Sequence, residues 1–323
     1  MSFLLLTAAG FSKNWGGLVA SEFFSRLLLV KMDGDIRAQL INTKSFETVM
    51  ATLQATHAAH NTEATKTRLA QFESAVLGIF NGMNGDMARR HFEFQNDIAF
   101  TFSKFLQRFD AIYTLNQDGL LEMHYMPGVI TGGRWDGVEL PGMQHFGPQP
   151  IVHSFTPRDR LDVRSPVDGN FRTHVRLQPY FKLHGSANWR TDATSGPLLI
   201  LGGKKSAALA LHPILTAYLN DFQTRLKQPG ARLMIIGYGF NDEHINDAIA
   251  EGVKHGLKLF IVDIRGMDAY DKNDHTAAIP GPSDPFTELL NSALMTESRH
   301  PLTYTFGPDG NGEHRHLSSF FKT

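Results

Sequence analysis

Residues 3–17 read Phe-Leu-Leu-Leu-Thr-Ala-Ala-Gly-Phe-Ser-Lys-Asn-Trp-Gly-Gly, an apolar run that breaks at a turn of small residues. The run Phe3–Ala9 predicts a buried strand, because a parallel strand covered by helices on both faces is apolar throughout rather than alternating. Gly10 follows directly, and a helical segment follows Gly10. That order lets backbone approach a pyrophosphate at a helix N-terminus. The usual three-glycine fingerprint is incomplete: position 8 is Ala, and Asp33, at the offset of a ribose-binding acid, lies in the turn Lys31-Met32-Asp33-Gly34-Asp35. An ordinary strand-to-helix turn has the same appearance.

Working outward, three further apolar runs predict strands at Ala111–Leu115, Arg232–Tyr238 and Leu257–Ile264. Helical stripes alternate with them. Phe94, Ile98, Phe102, Phe105 and Phe109 follow a 3.6-residue period. Pro213 opens a segment whose Leu215, Leu219, Phe222 and Leu226 share a face, and Ile245, Ile249 and Val253 do the same from Asp242. Such alternation implies an α/β fold, a Rossmann-like parallel sheet with helices on both faces. The core is assigned to 1–30, 94–126 and 179–265. Residues 31–93, with helical patterns at Phe46–Thr56 and Thr65–Met83, read as a helical insertion. Residues 127–178 read as a loop-rich insertion, with Pro-Gly-Val-Ile-Thr-Gly-Gly at 127–133 and Pro-Gly-Met-Gln-His-Phe-Gly-Pro-Gln-Pro at 141–150. Together 1–265 form the expected catalytic domain. Residues 266–323 form a C-terminal extension, with a helix at Pro285–Met295 and a strand at Leu302–Phe306.

Composition removes several function classes. Among 323 residues, 31 Lys and Arg face 32 Asp and Glu, a net charge of −1, which argues against binding nucleic acid by bulk phosphate neutralisation. The chain has no cysteine. Disulfides, thiolate zinc sites, iron–sulfur clusters and cysteine nucleophiles are therefore excluded together. Phe3-Leu4-Leu5-Leu6 is too short for a signal-peptide core, and no stretch approaches the roughly 18 apolar residues of a membrane span. The expectation is a soluble, cytoplasmic protein.

Candidate chemistry collects at the strand ends, where open α/β sheets bind ligands. Thr114-Leu115-Asn116-Gln117-Asp118-Gly119 follows the second strand; Asn116 and Asp118 there could equally be caps or turn formers. In Lys182-Leu183-His184-Gly185-Ser186-Ala187-Asn188-Trp189, His184 suits a general base in a cleft, or a packed histidine. Ile235-Ile236-Gly237-Tyr238-Gly239-Phe240-Asn241-Asp242-Glu243-His244-Ile245-Asn246 brackets a strand end with glycines, and Phe260-Ile261-Val262-Asp263 ends a strand on a carboxylate suited to ribose hydroxyls. Irregular spacing of His124, His145, His153 and His174 speaks against a zinc site. His212, His244 and His255 read as caps or surface residues. Lys204-Lys205 and Arg158, Arg160 and Arg164 read as solvated loops.

In their order these motifs resemble the sirtuin family, and most of all the sirtuin-like NAD-consuming proteins of bacterial anti-phage defence. The resemblance covers about residues 1–265 apart from the insertions; Lys-Leu-His-Gly-Ser-Ala-Asn-Trp and Gly-Tyr-Gly-Phe-Asn-Asp-Glu-His-Ile-Asn are its most specific parts. It implies NAD as substrate, with Asn116 positioning the nicotinamide ribose and the attacking water, and His184 as base. It places Asp118 at the nicotinamide pocket, and Ala9, Gly10 and Ser12 at the pyrophosphate. Gly237, Tyr238 and Asn241 form the opposite lip, and Asp263 holds the adenosine ribose. Family deacylases generally carry a four-cysteine zinc module, which this chain cannot form. The implied activity is therefore hydrolysis of NAD to ADP-ribose and nicotinamide, with cyclisation as another outcome. The alternatives are a deacylase without zinc and a non-catalytic NAD or ADP-ribose sensor scaffold. The implied partners are further copies of the chain and a HerA-type ATPase, ahead of a short Argonaute, with no metal, no nucleic acid and no membrane.

Overall fold

A computed structural model describes residues 1–127, 133–146, 157, 161–167, 171–191, 197–200, 205–271 and 284–322. Lys204, His153, Arg158 and Arg160 lie outside the described residues, as do 128–132 and 147–150 of the two Pro-Gly stretches.

Among the described residues the main sheet has seven strands, in the order β11-β10-β9-β1-β2-β6-β3. They are β1 (Ser2–Thr7), β2 (Ala111–Thr114), β3 (Gly137–Glu139), β6 (Leu177–Lys182), β9 (Ala231–Ile236), β10 (Lys258–Val262) and β11 (Leu294–Ser298). Every pairing in it is parallel. Leu5 sits opposite Ile112 on one side and Met234 on the other. Leu4, Leu5 and Leu6 are all fully buried, as an apolar central strand between two helical layers requires. A second sheet is built from β4 (Met143–His145), β5 (Arg164–Pro166), β7 (Gly185–Arg190) and β8 (Pro197–Leu199). The Rossmann-like parallel sheet read from the apolar runs is the one observed, each of the four predicted strands lying within two residues of its expected bounds.

Helices α1 (Ala9–Ser12), α2 (Ala20–Leu27), α3 (Gly34–Thr43), α4 (Phe46–His60) and α5 (Glu63–Ala88) follow β1. Their starts are written in the sequence: Asp33, Ser45 and Thr62 each accept a hydrogen bond from a first-turn backbone N–H. Further along come α6 (Phe102–Leu106), α7 (Leu120–His124), α8 (Lys205–Ala210), α9 (Pro213–Leu226), α10 (Glu243–Lys254), α11 (Pro285–Ala293), α12 (Leu302–Thr305) and α13 (Asn311–Ser318).

Three expectations are corrected. The stripe Phe94–Phe109 is not one helix. Only Phe102–Leu106 is α-helical, because the Glu93 carboxylate folds back to accept from the N–H groups of Phe102 and Ser103. A residue that caps a helix start cannot also lie within that helix. Phe94 instead packs from a loop against Trp15, ring centroids 4.9 Å apart. Leu302–Phe306 is likewise not a strand but the helix α12, entered through Pro301, with Leu302 N–H held 3.0 Å from Asn14 Oδ1. The strand lies earlier, at β11, where the helix expected at Pro285–Met295 has already ended. Residues 266–323 thereby supply an edge strand to the main sheet.

Where β1 and β9 leave the sheet, the two turns touch. Gly10 N–H donates to Gly237 O at 3.0 Å, and Ala8 N–H to Ile236 O at 3.0 Å. Gly237 has φ +66, and a Cβ there would sit 2.3 Å from Phe11 N. Gly237→Ala is expected to lower unfolding stability by about 3 kcal/mol or more, combining left-handed strain with overpacking; urea unfolding at neutral pH reads it. A loss below about 1 kcal/mol would show that the two turns can separate freely.

Candidate active site

Strand order reverses at β1, with β2 on one side and β9 on the other, and a ligand crevice is expected outside the carboxyl ends at such a point. A cavity of about 420 Å³ lies there. Ala9, Asn116, Asp118, His184, Gly237, Tyr238 and Asn241 all line it, so seven residues chosen from four separate motifs share one space. Gly10, Ser12 and Asp263 do not line it. Gly10 lies behind, its missing side chain occupied by Gly237, since a Cβ there would stand 2.7 Å from Gly237 Cα. The helix after β1 is only the four-residue α1, too short for a large dipole. Ala8 is extended at φ −140, where no glycine is needed.

Asn116 is held from below. Its Nδ2 donates to Ala8 O at 3.0 Å and to Ser12 Oγ at 2.8 Å. A carbonyl can only accept, so the amide orientation is set, and Oδ1 is the atom left for a ligand. Ser12, 2% exposed, donates a hydrogen bond from its hydroxyl to the Asp118 carboxyl and so links the two motifs beneath the cavity floor. Burial pushes the Asp118 carboxyl above the ordinary range, against the opposing pull of Lys182 and the Ser12 hydrogen bond. Lys182, completely buried, donates to the Asp118 carbonyl and to Glu122 Oε1 at 2.6 Å. Tyr180 OH completes Glu122 at 3.2 Å. Asp263 is engaged elsewhere: its Oδ1 accepts from Arg265 N and from Arg265 Nε at 3.1 Å. Tyr238 faces the cavity, but its hydroxyl is tied to Asp242 and Asn246 at the start of α10.

His184 follows β6, fixed by Leu183 N–H on Thr114 O and Ile200 N–H on His184 O, both 2.9 Å. It is 2% exposed. Burial, with Lys205 and His244 adding repulsion, outweighs the attraction of Asp242 and lowers its pKa to about 3. The imidazole is therefore neutral at physiological pH, with a ring-nitrogen lone pair available as a hydrogen-bond acceptor, in surroundings that resist its protonation.

Several residues on this wall were missed or misread from sequence. Lys205, expected in a solvated loop, lines the cavity and pairs with Asp242 and with Glu47 of α4 at 3.0 Å. His244, expected as a cap or surface residue, has Nε2 3.1 Å from His184 Nε2. The helical segment contributes Leu18, Phe23, Phe46, Phe80 and Met83 to the lining. The buried Lys182–Glu122 pair carried no signal beyond a lysine inside an otherwise apolar run. A larger open groove of about 1260 Å³ between α2, α3 and α5 shares Leu18 and Met83 with this cavity but none of its candidate chemistry. No group of three or more His, Cys, Asp or Glu among the described residues is placed to hold a metal ion, and no helix among them is long and apolar enough to cross a membrane.

No protein-family model matches the chain, and no curated protein matches it. Among solved structures it is similar to Sir2Tm bound to a propionylated peptide, at 12% identity and a TM-score of 0.41, over 98% of this chain and 92% of that one. A complex of Sir2 with a p53 peptide and NAD+ is similar at 12% identity and a TM-score of 0.39, over 98% and 92%. A structure addressing the mechanism and regulation of Sir2 enzymes gives 13%, 0.41, 98% and 93%. Likenesses this loose speak to neither activity nor ligand, and the fold assignment rests on the sheet itself.

Two measurements follow from this burial. Below pH 6.5 an unfolded chain protonates His184 while the folded protein does not, so His184's contribution is full above pH 6.5 and declines toward pH 3. The slope is at most about 1.4 kcal/mol per pH unit. His184→Gln should flatten the stability–pH curve in that window, as read by urea unfolding at pH 7, 5.5 and 4.5; an unchanged slope would mean the histidine is charged in the fold. Lys182→Met should cost about 3–5 kcal/mol by leaving Glu122 buried and unpaired, and Lys182→Met with Glu122→Leu should recover most of it.

Proposed function

We propose that the protein is an NAD glycohydrolase that cleaves NAD to ADP-ribose and nicotinamide, and that it acts as a cytoplasmic toxic effector of bacterial antiviral defence. One observation carries the chemistry: Asn116, whose Oδ1 accepts no hydrogen bond among the described residues, and the neutral imidazole of His184 line a single cavity at the sheet's switch point. The defence role and the proposed partner, a HerA-type ATPase acting on an oligomer of this chain, rest on the order of the sequence motifs and their sirtuin-like resemblance.

The reaction asks little of the protein. The bond from ribose to cationic nicotinamide breaks to release a neutral base, so no acid is needed at the leaving group. The transition state is oxocarbenium-like, as in glycoside hydrolysis. What remains is to hold the dinucleotide, exclude bulk water and aim one nucleophile. Asn116 Oδ1 can accept from the attacking water or a ribose hydroxyl, and His184 can take the proton that water loses. Backbone at Ala9, Gly237 and Gly239 lines the cavity where the phosphates would lie. Water is favoured over acyl-lysine as nucleophile because a chain without cysteine cannot build the family's four-cysteine zinc module.

Asn116→Ala and His184→Ala should each lower nicotinamide release from NAD by about 100-fold or more, with KM within a few-fold. Wild-type rates in either variant would sink the assignment. Product analysis should show linear ADP-ribose. An O-acyl-ADP-ribose product formed only with acylated peptide would indicate a deacylase instead, and tight NAD binding without turnover a sensor.

A further inference from the structure

Resting on the hydrolase reading above, we infer that His244 is a positioning residue for His184, fixing its tautomer and providing the route by which its proton leaves the site. The two Nε2 atoms are 3.1 Å apart, with ring centroids 5.2 Å apart and planes at 46°. Between two neutral imidazoles this spacing holds one N–H, donated by one ring and accepted by the other. The nitrogen bonded to a partner decides which nitrogen stays free. When His184 Nε2–H donates to His244, the atom left to meet a substrate proton is His184 Nδ1, as an unprotonated acceptor.

The surroundings of the pair favour moving charge outward. Burial lowers the proton affinity of both rings, but His184 is 2% exposed whereas His244 is only half-buried near the start of α10, where Asp242, Asp247 and Glu243 all favour its charged form. Asp242, Lys205 and the partner imidazole act on His184; Asp242, Lys205, Asp247 and Glu243 act on His244. Asp242 is the carboxylate common to both, and Lys205 fixes it while anchored to Glu47 of α4. Hydrolysis frees one proton. It leaves the attacking water for His184 Nδ1 as the oxygen–carbon bond forms and the carbon–nicotinamide bond breaks. The Nε2 proton then passes to His244 Nε2, and the cation formed there faces Asp242 until solvent takes its Nδ1 proton. On product release His184 Nδ1 returns its proton to water as His244 Nδ1 is reprotonated and the shared Nε2 proton moves back, which restores the starting tautomer. Nothing is oxidised or reduced.

His244→Gln keeps a polar side chain but cannot carry a proton. It should lower kcat for nicotinamide release about 10–100-fold with KM within about threefold. It should also abolish the acidic limb of the wild-type kcat–pH profile, and added imidazole should restore rate to His244→Ala. A merely structural role would leave that limb in place. Wild-type kcat and an unchanged limb in His244→Gln would overturn the inference. A second readout is independent of turnover: ¹⁵N spectra of labelled histidine should show one His184 tautomer in the wild type and a mixture in His244→Ala. An unaltered His184 tautomer would overturn the pairing even if the wild type hydrolyses NAD. If the wild type releases no nicotinamide while the tautomer does shift, the hydrolase reading fails and the positioning role stands.

Discussion

Two glycine backbones in contact, Gly10 against Gly237, are the constraint on which the remaining structure depends. β1 and β9 are neighbours in the sheet, and both chains must turn away at the same level. Side chains on those turns would force them apart, and the crevice between β1 and its neighbours would lose its floor. Because they interlock, Ala8 O is held where Asn116 Nδ2 can reach it, and Ser12 lies within reach of both Asn116 and Asp118. The position of the candidate amide is thus inherited from a backbone contact on the far side of β1.

Behind that floor the protein buries charge, which small domains seldom do without a partner for each ion. Lys182 and Glu122 are almost completely hidden, and the lysine also satisfies the Asp118 carbonyl. Such a pair contributes little net stability, but it specifies one arrangement, since any shift of β6 against α7 leaves an ion unpaired. The same strand delivers His184 two residues later, so a fixed β6 means a fixed imidazole. Beside His184, Lys205 ties the start of α10 to α4 through Asp242 and Glu47. The helices that follow β1 add Phe23, Phe46, Phe80 and Met83 to the lining.

The parallel sheet was legible because its central strands are buried on both faces and their sequences are accordingly apolar. β6 was harder to read, since Gln178, Pro179 and Lys182 interrupt the pattern. Gln178 is accommodated by donating to Leu106 O and Phe109 O at 2.8 Å and accepting from Tyr125 OH, partners far away in sequence. The phenylalanine stripe misled for the opposite reason: aromatic rings cluster equally well from a loop and from a helix, and the Glu93 cap decided between them. At the C-terminus, Leu302-Thr303-Tyr304-Thr305 has strand-favouring residues, yet the sheet edge was already taken by β11.

Sequence alone determined which residue types stand at the strand ends and the absence of thiol chemistry, because both depend only on the identity of the residues. Tertiary structure decided which of the candidates share a cavity. It set Gly10 and Ser12 behind the floor and Asp263 against Arg265, and it brought Lys205 and His244 from apparent surface positions to the side of His184. Those outcomes turn on contacts between segments tens of residues apart, and on burial that shifts a histidine's proton affinity by several pH units. Neither quantity is carried by any local stretch of the chain.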